Sequence, residues 1–203
     1  MKMSEQEHFQ RVLTKFAAPT LVGIKCGSMF TVSLDEYAVG QHLKMFRNRV
    51  EKEKLHIQVL CMCRNRVLLY IYNREVLRHY LSLPRSQKLL QQFGYTSDMS
   101  ENAMLTMLSR RIRCCKEYPH EIGLFLGYPP QDVEGFIQNN GQNEKMCGLW
   151  KVYSNPQRAK YLFRLYDTCT QALMNRLECG EDFYSMVNAE FSVNYKYHSM
   201  AYC

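Results

Sequence analysis

Apolar positions recur at helical spacing along most of this chain and at alternating spacing in a few short stretches. Residues 4–16 place Phe9, Val12, Leu13 and Phe16 on one side, which predicts an amphipathic helix. In the following AAPTLVGIKCGSMF, Pro19 can open a short helical turn, with Gly23 and Gly27 punctuating it. MFTVSL, residues 29–34, predicts a strand. Asp35 stands where it can cap a helix running to about Lys54, with Val39, Leu43, Phe46 and Val50 aligned. The clearest unit is a hairpin. HIQVLCMC carries Ile57, Val59, Cys61 and Cys63 on one face, and RVLLYIYN returns after a turn at Arg64–Arg66. The returning strand is apolar on both faces, which predicts a central place in its sheet.

Helices follow at about 74–82 and 85–93, divided by Leu83-Pro84, because proline lacks a helix donor and restricts its neighbour. A third spans 100–117 with Met104, Leu105, Leu108, Ile112 and Cys115 inward. PHEIGLFLGYP then reads as a short helix. Pro119 is near its start, Gly127 takes the left-handed position past its end, Tyr128 folds back onto the last turn and Pro129 blocks continuation. A short buried strand is the alternative. PPQDVEGFIQNN reads as a second short helix, with Pro130 early and Asp132 and Glu134 near its positive end. CGLWKVY reads as a strand with Trp150 and Val152 on one face and Lys151 and Tyr153 on the other. Asn155-Pro156 opens a long helix to about Leu177.

Past Gly180 the periodicity weakens. Residues 1–178 therefore read as a single domain, and 179–203 as a tail that packs loosely or frays. The element order predicts an α+β domain: a small, mostly antiparallel sheet of about four strands covered by helices.

Composition changes this picture little. The 203 residues carry a formal charge of +7, which suits an acidic protein, an anionic membrane or nucleic acid. The basic residues are dispersed, however, in groups such as Arg47/Arg49/Lys52/Lys54 and Arg110/Arg111/Arg113/Lys116, and no nucleic-acid module appears. No apolar run is long enough to span a bilayer. The start MKMSEQEHFQ is polar, and an odd count of nine cysteines fits free thiols in a reducing cytoplasm.

Chemistry-bearing residues are sparse. His120 and Glu121 are adjacent, so their side chains diverge rather than converge on a metal, and position 124 is Leu where a His-Glu-x-x-His motif needs histidine. No metal site is expected. His120 is a candidate acid or base with Glu121 or Asp132 orienting it. The plainer reading has His120 tying the helix start to a loop while Glu121 caps free amides. Cys61-x-Cys63 and Cys114-Cys115 read as core thiols. Cys26, beside Lys25 in a glycine-bordered loop, is the best candidate nucleophile. Lys151 and Tyr153 could meet an anion or a stacked ring, and Trp150 reads as core.

APTLVGIKCGSMF, PHEIGLFLGYPPQDVEGFI and the G-x-N-x-K-x-x-G-x-WKVY run together resemble an uncharacterised bacterial domain-of-unknown-function family over about residues 10–175. The resemblance implies that the shared positions, among them Thr20, Lys25, His120, Glu121, Asp132, Phe136, Trp150, Lys151 and Tyr153, carry its function. It also implies a link to flavodoxin-type redox or iron metabolism, with an acidic flavodoxin-like protein as partner. Many members place His-Cys just before the Ala-Pro-Thr-Leu motif; here Phe16 and Ala17 stand there. The reading that follows is a cytoplasmic small-ligand, cofactor-binding or accessory protein, its cofactor unidentified. Lys25, Thr20, Asp132, Phe136, Trp150, Lys151 and Tyr153 are its candidate ligand contacts. An enzyme using His120 or Cys26, and a nucleic-acid binder, are the alternatives.

Overall fold

Strand β3 (Arg66–Asn73) runs through the middle of the molecule, and six of its eight residues are buried, as its two-faced apolar pattern predicts. It is flanked antiparallel by β1 (Gly27–Ser33) and β2 (Leu55–Cys63), in the order β1-β3-β2. The computed structural model describes residues 3–50, 54–114 and 118–191. The chain is an α+β domain, as expected.

The sheet is a middle layer. On one face Phe30, Val32, Ile57, Val67, Leu69 and Ile71 meet helices α1 (Glu5–Leu21), α2 (Val39–Arg49), α8 (Pro156–Glu178) and α9 (Phe183–Phe191). On the other, Leu60, Tyr70 and Tyr72 meet α3 (Arg74–Ser82), α4 (Pro84–Gln92), α5 (Glu101–Cys114), α6 (Ile122–Phe125) and α7 (Pro130–Gln138). A third, smaller cluster of Trp150, Val152, Ala159, Leu162 and Tyr166 joins α8 to a two-strand ribbon, β4 (Met146–Cys147) and β5 (Lys151–Val152).

Several expectations are corrected. The CGLWKVY strand does not join the main sheet; it forms the separate ribbon, so the main sheet has three strands rather than about four. In β2 the register shifts between Val59 and Cys61, and this bulge buries Leu60 while leaving Val59 38% exposed. One inserted residue exchanges the two faces, so the expected Ile57/Val59/Cys61/Cys63 alternation breaks after Ile57. Asp35 caps no helix. α2 starts after Ala38, whose backbone N–H is held by Glu5 Oε1 at 2.7 Å, a partner from α1 that no local pattern reveals. It ends at Arg49 rather than near Lys54, and residues 51–53 lie outside the described ones. The expected inward Cys115 also lies outside them.

Helix α1 continues through Pro19 to Leu21 instead of stopping near residue 16. Proline forfeits one helix bond; here it does so in the last turn, where Ala17, Ala18 and Leu21 are fully buried and hold the helix in place. The region after Gly180 is not a loose tail throughout. α9 docks Phe183, Tyr184, Met186 and Val187 into the first core. Its nine residues are too short for periodicity to separate from the polar, aromatic stretch that follows, and residues 192–203 lie outside the described ones.

Candidate functional site

Two helix stops set the site. At the end of α1, Gly23 (φ 78°) takes the left-handed conformation, its N–H reaches Thr20 O at 3.1 Å, and the N–H of Ile24 reaches Pro19 O at 2.7 Å. At the end of α6, Gly127 (φ 71°) does the same: its N–H reaches Leu124 O at 3.0 Å and the N–H of Tyr128 reaches Gly123 O at 2.9 Å. Both are Schellman stops, which need a residue without a Cβ penalty at the reversal. The first delivers Lys25 and the second Tyr128, and Lys25 Nζ lies 5.7 Å from the Tyr128 ring centroid. The Tyr128 side chain folds back over Gly123, as the sequence predicts. Phenols from the core fix this second stop: Tyr70 donates to Phe125 O at 2.7 Å and Tyr80 donates to Tyr128 O. Burial holds both phenols well above the ordinary tyrosine range, so they stay protonated donors.

Tyr128 stacks on Trp150, with ring centroids 5.0 Å apart and planes 24° apart. Phe163 of α8 meets the indole edge-on at 4.5 Å. The indole N–H donates to Asp132 Oδ2 at 2.8 Å. Asp132 Oδ1 also accepts the backbone N–H groups of Tyr153 and Ser154, at 2.9 and 2.7 Å. A buried carboxylate on α7 thus pins the indole and the chain entering α8. Its three donors satisfy it fully, which makes it a clamp and leaves no lone acid.

The Tyr128–Trp150 pair separates two clefts. The first, about 250 Å³, lies between α6, α7 and β5, and its walls include His120, Ile122, Val133, Phe136, Trp150 and Lys151. Its lining is mainly apolar and aromatic. The second, about 560 Å³, lies between the end of α1, the ribbon and α8, and its walls include Phe16, Lys25, Leu149, Phe163, Tyr166 and Asp167.

The first cleft gathers His120, Asp132, Phe136, Trp150 and Lys151, five of the residues singled out from the sequence. His120 is exposed at its rim, edge-on to Phe136 at 5.3 Å. Lys151 is tethered: Nζ donates to Gly141 O at 2.6 Å and pairs with Glu144 at 3.3 Å. Lys25 lines the second cleft and His120 and Lys151 line the first, so the candidate contacts fall in two pockets with a shared aromatic wall. Tyr153 packs its ring against Gly135 of α7, and its buried hydroxyl has no hydrogen-bond partner among the described residues. Thr20 is buried and bonded to Ser28 Oγ at 2.9 Å, which occupies it structurally.

Glu121 neither orients His120 nor caps α6. It is fully buried, paired with the Arg111 guanidinium and bonded by the Tyr95 hydroxyl at 3.2 Å. Burial and this carboxylate push the Tyr95 phenol far up. Cys26 is fully buried as well, with Sγ 3.6 Å from Phe125 O, so it faces core rather than a substrate-accessible loop. At the two places where the resemblance implies His-Cys, Phe16 stacks on Phe30 at 5.5 Å at the mouth of the second cleft, and Ala17 is buried. The tyrosine frame of Lys25, completed by Tyr166 of α8, and the Arg111 partner of Glu121 went unseen in the sequence. Both come from separate helices, and no local spacing signals them.

Six of the arginines, Arg11, Arg49, Arg74, Arg85, Arg111 and Arg176, each pair with a carboxylate. Among the described residues no cluster of three His, Cys, Asp or Glu could hold a metal ion, and no helix is long and apolar enough to cross a membrane.

The chain belongs to the family described as protein of unknown function DUF3793, whose model matches residues 13–187 and so reaches into α9. It matches no curated protein and no solved structure.

Proposed function

We propose that this chain is a small-molecule-binding protein whose ligand lies in the first cleft, between the walls that Trp150 and Phe136 supply. The observation that carries this reading is the gathering of His120, Phe136, Trp150 and Lys151 around one apolar cleft whose indole wall is held rigid by Asp132. Rigid walls bind without first having to be ordered. At about 250 Å³ the cleft falls below the range of about 300–1,000 Å³ used by drug-sized ligands. The ligand is therefore small, planar and largely apolar, with one polar end turned outward to His120.

The seven described cysteines are all free thiols, which supports a reducing, cytoplasmic setting of the bacterial kind. The net charge of +7 suits an acidic partner such as a flavodoxin-like protein, with which this chain would work as an accessory in redox or iron metabolism. Native mass spectrometry of the purified full chain, followed by release of any small molecule it carries, tests the binding reading. A planar ligand lost on Phe136→Ala supports it. A ligand-free protein whose Trp150 emission does not respond to single-ring aromatic probes overturns it.

A further inference from the structure

Lys25 has an environment that the binding reading does not use. The stop at Gly23 ties the backbone N–H of Lys25 to Pro19 O at 2.9 Å, so its side chain leaves a fixed base. Nζ sits between two phenol rings, 5.7 Å from the centroid of Tyr128 and 5.9 Å from that of Tyr166. Among the described residues it makes no ion pair and no hydrogen bond. It faces the second cleft, which is walled by Phe16, Leu149, Trp150 and Phe163 and has room for a ligand of about 560 Å³. The charged and titratable groups around it are Lys15 from α1, Tyr128 after α6, Tyr166 and Asp167 from α8, and Cys26 beside it in the chain.

An amine in this frame lacks the anion that would lock it as an ammonium. Part of the side chain still meets the cleft, but the surrounding protein strips water from Nζ and brings its pKa down to about 8, with the neighbouring Cys26 opposing the shift. Desolvation in an apolar pocket is one way that proteins turn lysine into a nucleophile.

We propose that Lys25 is a carbonyl-capturing amine: Nζ attacks the carbonyl carbon of a small aldehyde or ketone held in the second cleft, and the adduct loses water to leave an imine. The nitrogen lone pair forms the new C–N bond. The carbonyl oxygen departs as water with both amine hydrogens, and no oxidant or reductant is consumed. Asp167, on the α8 wall, is the carboxylate of this lining available to carry protons during water loss. The aromatic walls select carbonyl compounds with a flat, apolar body. This site lies across the Tyr128–Trp150 pair from the first cleft and does not depend on it.

The test treats the full-length wild-type chain with benzaldehyde and cyanoborohydride, then maps the reduced adduct by peptide mass spectrometry. Lowering the pKa from 10.5 to about 8 raises the neutral amine at pH 7 roughly 300-fold. Lower basicity takes back part of that gain, so Lys25 should label about tenfold or more faster than exposed Lys15 and Lys160. Its rate should level off above pH 8, while theirs keeps rising toward pH 10. Lys25→Arg should remove the dominant adduct, and Phe136→Ala, which alters only the first cleft, should leave it. Labelling of Lys25 no faster than Lys15 or Lys160, or a rate still rising at pH 10, would overturn the proposal. The wild-type site selectivity decides this even if Lys25→Arg does not fold.

Discussion

Asp132 offers the sharpest test of how the site is held. Its carboxylate accepts from the Trp150 indole at 2.8 Å and from the Tyr153 and Ser154 backbones at 2.9 and 2.7 Å. Asp132→Ala leaves three donors without their acceptor, and each buried donor left unmade costs about 1–3 kcal/mol. Tyr153 and Ser154 are only half-buried and can recover water, so the expected loss is about 4 kcal/mol rather than the full sum. Asp132→Asn keeps one oxygen for the two backbone donors but turns an amide N–H₂ toward the indole N–H. That sacrifices the Trp150 bond alone, for about 2 kcal/mol. For a domain of this size, 1 kcal/mol moves Tm by about 2–4 °C. The losses then correspond to about 8–16 °C for alanine and about 4–8 °C for asparagine. Urea melts followed by Trp150 emission and by far-ultraviolet circular dichroism measure both, the second probe guarding against a purely local change at the indole. An Asp132→Ala variant within about 0.5 kcal/mol of wild type, the scatter of ordinary surface substitutions, would refute the clamp. So would equal losses for the two variants.

Three further outcomes follow from the geometry. Glu121→Ala strands Arg111 beside a buried hole and should cost about 3–5 kcal/mol, with the Arg111→Met/Glu121→Ala double variant recovering part of it in the same melts. Gly27→Ala should cost at least about 3 kcal/mol or prevent folding, read as soluble yield and Tm, because a Cβ there would stand 2.5 Å from the Phe125 carbonyl oxygen and the Tyr70 hydroxyl. Because the folded Lys25 pKa is depressed to about 8, the folded state carries a penalty below pH 8 that is relieved between pH 8 and 10.5, where the unfolded chain binds the extra proton. The stability of Lys25→Met relative to wild type should therefore fall by up to about 3 kcal/mol from pH 7 to 10.5. Taking this difference cancels the opposing effect of the buried tyrosines, whose raised pKa values make the fold lose stability above about pH 10.

What the sequence reveals here is what is decided within about six residues. Gly23 and Gly127 mark their helix stops, Asn155 caps α8 by accepting from Arg158 N at 3.0 Å, and the two-faced apolar run of β3 places it centrally. What it hides depends on distant partners. Glu5 sets the start of α2, Arg111 claims Glu121, and Tyr166 completes the frame of Lys25. Pro19 reads as a boundary because local propensity says so, yet the buried face of α1 carries the helix past it. His120, Asp132, Phe136, Trp150 and Lys151, which the sequence singles out, line one cleft. The sequence could not show that Glu121 and Asp132 serve the architecture, or that Tyr128 and Trp150 stand between two clefts.

Seating of a small planar ligand against Trp150 is read most directly from that residue, the single tryptophan of the chain. Its indole N–H resonance, downfield through the bond to Asp132, is followed by ¹H–¹⁵N spectroscopy while benzoate, benzamide and toluene are titrated into the full-length protein. A saturable shift is expected with at least one of these probes, weakened about tenfold or more by Phe136→Ala, a loss of about 1.4 kcal/mol. An indole resonance that stays fixed with all three contradicts that seating.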